Sequence, residues 1–408
     1  MRDVRVGGTA VRGIPAKTIV APATLGEAAA VMTEAAAKGD AVAFLGGGTE
    51  LGLGYPPERV DVLLKTSRLT RVVEYAPADL VVEVEAGITL AALQKTLAPH
   101  GQRLALDVPH PELATVGGVV AANTFGPLRT RFGTLRDLIV GVSFVRADGE
   151  RVRGGGKVVK NVAGFDLPKL AVGSLGSLGM IATATFRLHP VPETSAALRV
   201  AGCSGSVLAE LAKGVVACRL EPAAFLAHLG VALGSYDAYV LFEGFGTGVD
   251  EQVMRFEALA ATLGTSAERL ANPALPGMLD EETRTRGDVR LRLAVPPADL
   301  AEFEARVLAP LAAGLAQTRA VVYPMLGVAF VSGYAAVVAA AATALTDARR
   351  VVEGLNGHLV VLDVHDRTLA ELVDPYGTVP ASFFLMQRLK ERFDPARRLN
   401  PGRFLGGL

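Results

Sequence analysis

The sequence has few cysteines and no net charge. Its 408 residues include only two cysteines, Cys203 and Cys218, which are too few for a disulfide framework or for the usual set of about four thiolates around an iron–sulfur cluster. We therefore expect two unpaired thiols in a reducing cytoplasm. The 41 basic and 41 acidic residues balance, so nothing attracts nucleic acid or an anionic membrane in general. We expect no nucleic-acid partner.

A long hydrophobic run is also missing. The longest candidate, residues 335–345, is mostly alanine and is closed by Asp347 and Arg349, whereas a spanning helix needs about 20 apolar residues. The first eight residues lack the apolar core of a signal peptide. We expect a cytoplasmic protein with no membrane span of its own, which reaches a membrane only through a partner. The six histidines show no metal-ligand spacing, so we expect no metal site.

The length and the change in composition indicate more than one domain. Single hydrophobic cores stop growing near about 250–300 residues, and the composition shifts at residues 190–193. We expect an N-terminal domain over residues 1–192, a second α+β domain over 193–375, and a C-terminal segment over 376–408 that returns to the first domain. The second domain alternates alanine-rich helices with short strands such as 239–242 and 289–295.

Local patterns predict several elements of the first domain. Thr24 and Glu27 form a capping box at the start of a helix that ends at Gly39. A buried strand over 41–45 follows and leads directly into glycines. The alternation over 81–85 places Val82 and Val84 on one face of a strand and the glutamates on the other. Further patterns predict a helix after Thr89, a hairpin turn at 148–149 and, near the C-terminus, a helix with Leu385, Leu389 and Phe393 on one face, ended by Asp394-Pro395.

Three glycine-rich stretches lie in the first 190 residues, over 46–50, 115–118 and 173–181. Glycine allows positive φ and a close approach of the backbone to a ligand, and successive N–H groups can cradle a diphosphate. A plain turn is the alternative for each stretch. Two common nucleotide-binding motifs are excluded, because Leu51 replaces the third glycine of G-x-G-x-x-G and Val158 follows Gly156-Lys157 where a phosphate loop needs Ser or Thr.

Several segments together resemble the FAD-binding domain of the vanillyl-alcohol oxidase superfamily, also called the PCMH type. These are residues 45–49, 72–100 and 114–118, while 158–170, 172–179 and 393–404 are similar to the FAD-binding subunit of glycolate oxidase, the GlcE type. The resemblance implies an α+β fold: a PCMH-type FAD-binding domain of two α+β subdomains, plus an α+β cap domain with an antiparallel sheet.

The resemblance also implies which residues bind FAD. The set is Gly46, Gly47, Gly48, Thr49, Glu50, Pro109, Thr115, Gly117, Gly118, Asn123, Asn161, Asp166, Gly179 and Ile181. Asn161 and Asp166 could equally be turn caps. Many relatives attach the flavin to a histidine near the first loop. Thr49 stands at that place here, so we expect non-covalent FAD.

Oxidation of a 2-hydroxy acid needs a base for the hydroxyl proton and a cation for the carboxylate. The catalytic candidates are His358, Arg290 and Arg292, of which the two arginines share one face of a strand. Structural roles are the alternative for all three. Catalytic relatives carry Gly-Asp-Gly-Asn near the end of the cap domain, and the segment 356–365 of this chain keeps two histidines but not that turn.

The sequence therefore predicts an FAD-binding subunit of a glycolate oxidase complex, which oxidises glycolate or a similar 2-hydroxy acid to the 2-oxo acid. The resemblance implies two partners, a catalytic flavoprotein sister subunit and an iron–sulfur subunit that receives the electrons. Two alternatives remain open. One is a self-sufficient FAD-dependent D-2-hydroxy acid dehydrogenase, such as one for D-lactate. The other is a non-catalytic scaffold subunit that keeps the fold and the flavin.

Overall fold

A computed structural model describes residues 9–156, 165–230 and 234–408 of the chain. Within it the chain forms two compact units. The first comprises Met1–Phe125, Gly133–Val191 and Thr378–Leu408, and the second comprises Gly126–Phe132 and Pro192–Gly377. The sequence-based limits are 192/193 and 375/376. The assignment of the short segment Gly126–Phe132 to the second unit was not expected.

The first unit contains two main sheets. Its strands are β1 (Ala10–Val11), β2 (Ile14–Val20), β3 (Val42–Leu45), β4 (Val60–Lys65), β5 (Val72–Ala76), β6 (Val81–Glu85), β7 (Gln102–Arg103), β8 (Ile139–Val145), β9 (Arg151–Gly155), β10 (Met180–Arg187) and β11 (His189–Pro190). One sheet has the order β1-β2-β4-β3, in which β2 and β3 run parallel to β4. The other is antiparallel, with the order β5-β6-β10-β8-β9. β7 and β11 form a separate small pair.

The helices of the first unit connect and cover these strands. They are Leu25–Lys38, Leu90–Leu97, Val116–Ala122, Leu135–Leu138, Leu167–Ala171 and Phe383–Phe393. The first begins as its sequence predicts, since Thr24 accepts a hydrogen bond from the Glu27 N–H, and it ends at Gly39 with φ 72°. Its buried face carries Ala28, Met32 and Ala35, which pack with residues of both main sheets.

The two glutamates of β6 lie on the face opposite the valines, but both are buried. Glu83 and Glu85 are 5% and 0% exposed. Each has an arginine partner, because Arg153 lies 2.8 Å from Glu83 and Arg71 lies 2.7 Å from Glu85. The alternation thus predicted the faces correctly but not this burial, which depends on strands distant in sequence.

The C-terminal helix Phe383–Phe393 is present, and its one fully buried residue is Lys390. Leu385, on the face that the sequence marks as apolar, is 50% exposed. The Lys390 ammonium lies 2.8 Å from Asp394, and both side chains are buried. Burial lowers the pKa of Lys390 more than the nearby carboxylate of Asp394 raises it. This ion pair fixes the end of the helix inside the first unit.

The second unit is built on one antiparallel sheet of eight strands. They are β12 (Thr194–Ser204), β13 (Ala224–Leu229), β14 (Ser235–Gly244), β15 (Glu268–Arg269), β16 (Val289–Ala294), β17 (Ala316–Tyr323), β18 (Val328–Tyr334) and β19 (His358–Val364), in the order β15-β12-β14-β13-β17-β18-β16-β19. Several are longer than the short strands expected, since β12 has 11 residues and β14 has 10. The antiparallel sheet predicted for this region is confirmed.

The helices of the second unit cover this sheet. They are Arg129–Phe132, Gly205–Ala217, Gly246–Thr262, Leu275–Thr285, Leu300–Phe303, a π-helical turn at Glu304–Leu308, Ala309–Gly314, Val338–Gly354 and Arg367–Leu372. Most of them bury alanine, leucine and valine against one face of the sheet. The helix Leu275–Thr285 contributes a buried polar cluster, in which Asp280 accepts a hydrogen bond from the Tyr323 hydroxyl at 2.5 Å and pairs with Arg284 at 3.2 Å.

No helix in the described ranges is long and apolar enough to cross a membrane.

Candidate functional site: a glycine-lined cavity in the first unit

The first glycine stretch begins where β3 ends. β3 and β4 are parallel, so their carboxyl ends meet at the same edge of the sheet. There the Thr66 N–H donates to the Leu45 carbonyl at 3.0 Å. Gly48 has φ 76°, a conformation that a residue with a Cβ rarely adopts. The chain thus turns sharply at this edge and exposes its backbone.

The first and second glycine stretches are in direct contact. A Cβ at Gly46 would lie 2.1 Å from Thr115 Oγ1, and one at Gly47 would lie 1.7 Å from the Leu113 carbonyl oxygen. A Cβ at Gly117 would lie 2.7 Å from the Ala86 Cβ. These three positions therefore require glycine, because a Cβ would collide with the backbone of Leu113 or with the side chains of Thr115 and Ala86. Thr115 in turn caps the helix Val116–Ala122 by accepting a hydrogen bond from the Gly118 N–H at 3.3 Å.

The third glycine stretch closes the same space. Gly176 has φ 70°, and a Cβ there would lie 2.8 Å from the ring of Phe44 and 2.7 Å from Asn400 Nδ2. The three stretches enclose an open cavity of about 750 Å³, including the part open to solvent. Its lining residues all belong to the first unit.

The structure brings ten of the expected cofactor-binding residues to this cavity. They are Gly46, Gly47, Gly48, Thr49, Glu50, Thr115, Gly117, Gly118, Gly179 and Ile181. They come from three segments separated by up to about a third of the chain, and the fold places them around one space.

Three others lie off the cavity lining, and one falls outside the described residues. Pro109 is buried in the loop before the helix Val116–Ala122, and Asn123 ends that helix with φ 53°. Asp166 caps the helix Leu167–Ala171 by accepting from the Lys169 N–H at 3.3 Å. The hydrogen bond from the Lys169 side chain also lowers the pKa of Asp166. Asn161 lies outside the described residues.

Sequence reasoning missed the other lining residues. They are Phe44, Leu45, Leu51, Thr66, Ala86, Ala121, Ala122, Leu175, Gly176, Met180, Asn400 and Arg403. Most are apolar or small and carry no motif of their own. The C-terminal pair Asn400 and Arg403 had a signal, because the tail 393–404 is one of the segments that carry the family resemblance. That signal did not show that the tail reaches this cavity.

The cavity has little charge. Of its lining residues within the described ranges, Arg403 is the only basic one and Glu50 the only acidic one. Arg403 is 4% exposed, and it donates hydrogen bonds to the carbonyls of Leu51 and Leu53 at 3.0 and 2.7 Å. A bound diphosphate would therefore depend mainly on backbone N–H groups, each of which contributes roughly 1.5–3 kcal/mol to a charged oxygen.

The catalytic candidates lie in the second unit, on β16 and β19. Arg290 and Arg292 share a face of β16, as their spacing predicts. Arg290 is tied to Asp363 at 2.8 Å, and His365 lies 3.2 Å from the same carboxylate. Burial alone would raise the pKa of Asp363, but the hydrogen bond from His365 and the charge of Arg290 outweigh it and lower this pKa to about 2.

His358 stands at the start of β19, opposite Ala294 at the end of β16. Partial burial lowers the pKa of His358, and the charges of Arg292 and Arg129 lower it further. His358 and Arg292 therefore lie on adjacent strands, the charge of Arg129 from a segment distant in sequence also acts on His358, and Arg290 is in a separate ion pair. Repulsion within this cationic group favours the neutral form of His358.

Comparison with known proteins agrees with this geometry. Residues 16–155 match the family model described as "FAD binding domain". D-lactate dehydrogenase of Archaeoglobus fulgidus is 28% identical over 414 residues, which cover 94% of this chain and 90% of that protein. The glycolate oxidase subunit GlcE of Escherichia coli K12 is 40% identical over 129 residues, which cover 31% of this chain and 37% of that subunit.

Solved structures show the same fold. The chain superimposes on an alkyldihydroxyacetonephosphate synthase with a TM-score of 0.71 at 16% identity, over 95% of this chain and 77% of that one. Residues 16–155 match an FAD-binding domain, the fold is of the PCMH type, and the enzyme class is that of an FAD-dependent oxidoreductase. The expected fold, cofactor and enzyme class are confirmed.

The residues at the cavity fit FAD. Gly46, Gly47 and Gly117 line the cavity, and the absence of a Cβ at each lets the loops around it pack against Thr115, Leu113 and Ala86. Glu50 Oε2 and Asn400 Oδ1 are buried acceptors without a hydrogen-bond partner, and FAD carries hydroxyl and N–H donors that could reach such groups.

Proposed function

We propose that this chain is the FAD-binding subunit of a glycolate oxidase-type complex that oxidises glycolate or a similar 2-hydroxy acid to the 2-oxo acid. The observation that carries the proposal is the cavity formed where the loop 46–50 meets the loop 115–118. The relatives named for glycolate oxidase and D-lactate dehydrogenase support the substrate class.

FAD, when bound, supplies an acceptor for the hydride on C2 of the substrate. The chain's own residues would supply the rest of the chemistry. In this proposal Arg292 binds the substrate carboxylate, and His358, whose pKa is lowered, is neutral near pH 7 and accepts the hydroxyl proton. Arg290 acts indirectly, because its ion pair with Asp363 fixes the neighbouring part of β16.

An iron–sulfur partner is part of the proposal because this chain cannot hold a cluster. Its two cysteines are unpaired, and Cys203 is buried. Burial raises the pKa of Cys203 to about 11, so its thiol stays protonated and is a poor metal ligand. Electrons that reach the flavin would have to leave through another protein or a soluble acceptor.

A self-sufficient D-2-hydroxy acid dehydrogenase is the second candidate. It is favoured by the full-length match to D-lactate dehydrogenase, which covers 90% of that protein. The two proposals differ in what the purified chain does alone. A self-sufficient dehydrogenase would turn over D-lactate or glycolate with an artificial electron acceptor, whereas a complex subunit would need its co-expressed partners for that activity.

The test begins with the purified chain, which should show a flavin absorbance band that acid precipitation releases into the supernatant. Turnover is then measured for the chain alone and for the complex purified from its native host. Arg292→Ala and His358→Ala should each lower kcat/KM for the 2-hydroxy acid about 100-fold. The matched control Arg306→Ala removes an arginine from an exposed pair with Glu302 and should leave turnover unchanged.

A colourless chain that takes up no FAD would rule out both candidates. Full complex activity in the Ala variants would favour the scaffold role.

A further inference from the structure

Asn400 is 2% exposed and lines the glycine cavity. Of the two polar atoms of its side-chain amide, one has a hydrogen-bond partner and the other does not. Its Nδ2 donates to the Leu175 carbonyl at 2.9 Å, whereas its buried Oδ1 has no partner. The orientation of the amide follows from chemistry, because only the NH2 group can face a carbonyl oxygen. Oδ1 is thus a buried acceptor without a donor, an arrangement that native proteins rarely tolerate without a function.

The backbone of Asn400 is fixed on both sides. Its N–H donates to the Val42 carbonyl at 2.9 Å, and its carbonyl accepts from the Arg403 N–H at 3.1 Å. Leu399 forms a parallel bridge with Val42, so the tail extends the sheet beside β3, the strand that leads into the first glycine loop. Asn400 itself has φ 45°.

A buried clamp holds the tail against the third glycine stretch. The Lys390 ammonium donates to the carbonyls of Ser177 and Leu399, both at 2.9 Å, and to Asp394 at 2.8 Å. It therefore joins the loop that carries Gly176 to the residue that precedes Asn400. Because Asn400 Nδ2 also bonds to that loop, its Oδ1 is held in one orientation at the cavity.

We propose that Asn400 is a cofactor-binding residue whose Oδ1 accepts a hydrogen bond from an N–H or O–H group of FAD. The proposal rests on FAD occupying the glycine cavity. The diphosphate is not the partner of Oδ1, because at neutral pH it carries acceptors but no donors. The partner is therefore a sugar or ribityl hydroxyl, the adenine amino group or an isoalloxazine N–H.

Asn400→Gly tests the proposal, since glycine suits the positive φ of this position and removes only the side chain. FAD is titrated into apoprotein, and its Kd is measured by quenching of flavin fluorescence. Loss of one neutral hydrogen bond should weaken FAD binding roughly 3- to 10-fold. Asn356→Gly is the matched control: Asn356 also has positive φ, 56°, but it belongs to the second unit and is not among the residues that line the cavity. Its FAD Kd should equal that of the wild type.

Circular dichroism and urea unfolding of the apoprotein check that both variants fold. A folded Asn400→Gly that binds FAD within twofold of the wild type would overturn the assignment of Asn400 while leaving the FAD site intact. A folded wild type that binds no FAD would overturn the cavity assignment itself. The two failures are therefore distinguishable.

Two smaller probes locate the donor. ADP carries the adenosine half of the cofactor, and riboflavin carries the isoalloxazine and ribityl half. A several-fold loss for ADP in Asn400→Gly supports a hydrogen bond to the adenosine half, and a several-fold loss for riboflavin supports one to the flavin half. Unchanged Kd values for FAD and for both probes contradict the proposal.

Discussion

Gly46 and Thr115 are in contact across 69 positions of sequence, and a Cβ at Gly46 would lie only 2.1 Å from the Thr115 hydroxyl oxygen. Thr115 is also the cap of the helix Val116–Ala122. The contact therefore couples the turn after β3 to the start of this helix. It explains why the first glycine loop has no room for a side chain even though Gly46 itself does not have positive φ.

Gly47→Ala should strongly weaken FAD binding. The new Cβ would lie 1.7 Å from the Leu113 carbonyl oxygen, and a backbone atom cannot move aside without displacing the loop that carries Thr115. We expect destabilisation of about 1–3 kcal/mol from the forced contact and an FAD Kd raised at least tenfold. Fluorescence titration and urea unfolding measure the two effects.

Gly248→Ala serves as the control for that experiment. Gly248 lies within the helix Gly246–Thr262, and a Cβ there would meet nothing within 4 Å. The substitution should leave FAD binding unchanged and stabilise the protein by up to about 1 kcal/mol. Equal FAD affinity in the Gly47→Ala variant and the wild type would contradict the close approach of the two loops.

Lys390→Met should destabilise the protein by about 3–5 kcal/mol, because it leaves the buried carboxylate of Asp394 without its cation. It should also weaken FAD binding, since the same ammonium joins the third glycine stretch to the tail. The free energy of unfolding in urea and the FAD Kd are the measurements.

Lys213→Met is a matched surface substitution, because Lys213 pairs with Glu210 at 2.7 Å but is 64% exposed. It should cost no more than about 0.5 kcal/mol. If the two substitutions cost the same, the Lys390 pair does not act as a buried clamp.

His228 should make the protein less stable in mild acid. Burial lowers the pKa of His228 to about 4, against about 6.5 in an unfolded chain. Between pH 6.5 and pH 4 the unfolded state therefore binds more protons, so the free energy of unfolding falls as the pH falls. The loss should be on the order of 3 kcal/mol over the whole window.

His228→Gln removes this titration and isolates its contribution. The difference in free energy of unfolding between wild type and variant, measured in urea from pH 7 down to pH 4.5, should change in favour of the variant as the pH falls. A difference that does not vary with pH would show that His228 is not buried as a neutral group.

His365 should show the opposite dependence. Its hydrogen bond to Asp363 raises the pKa of His365, so its stabilising contribution is complete below about pH 6.5 and is lost as the pH rises through the raised value. Because His365 is 62% exposed, we expect an effect below about 1 kcal/mol. His365→Gln should lose stability relative to the wild type at pH 5.5 but not at pH 9. Equal losses at both pH values would argue against the charged pair.

The elements near the cavity could be predicted from local sequence. The caps at Thr24 and Thr89, the stop at Gly39 and the strand that runs into Gly46 all depend on residues a few positions apart, and each is present in the structure. Residues Arg290 and Arg292 share a strand face for the same reason. Such features follow from backbone geometry and from short-range hydrogen bonds.

The sequence by itself also determined the fold class and the cofactor, because segments such as 45–49, 72–100 and 114–118 resemble the PCMH-type FAD-binding domain. The tertiary structure alone decided that Asn400 and Arg403 reach the cavity and that the charge of Arg129 acts on His358. It also decided that Lys390 is the buried residue of its helix. The hydrophobic pattern of this helix predicts that Leu385 is buried and that Lys390 is exposed to solvent. The buried ammonium of Lys390 is stable because it meets Asp394 and the carbonyls of Leu399 and Ser177. Ser177 lies 213 positions away, and no local pattern predicts that contact.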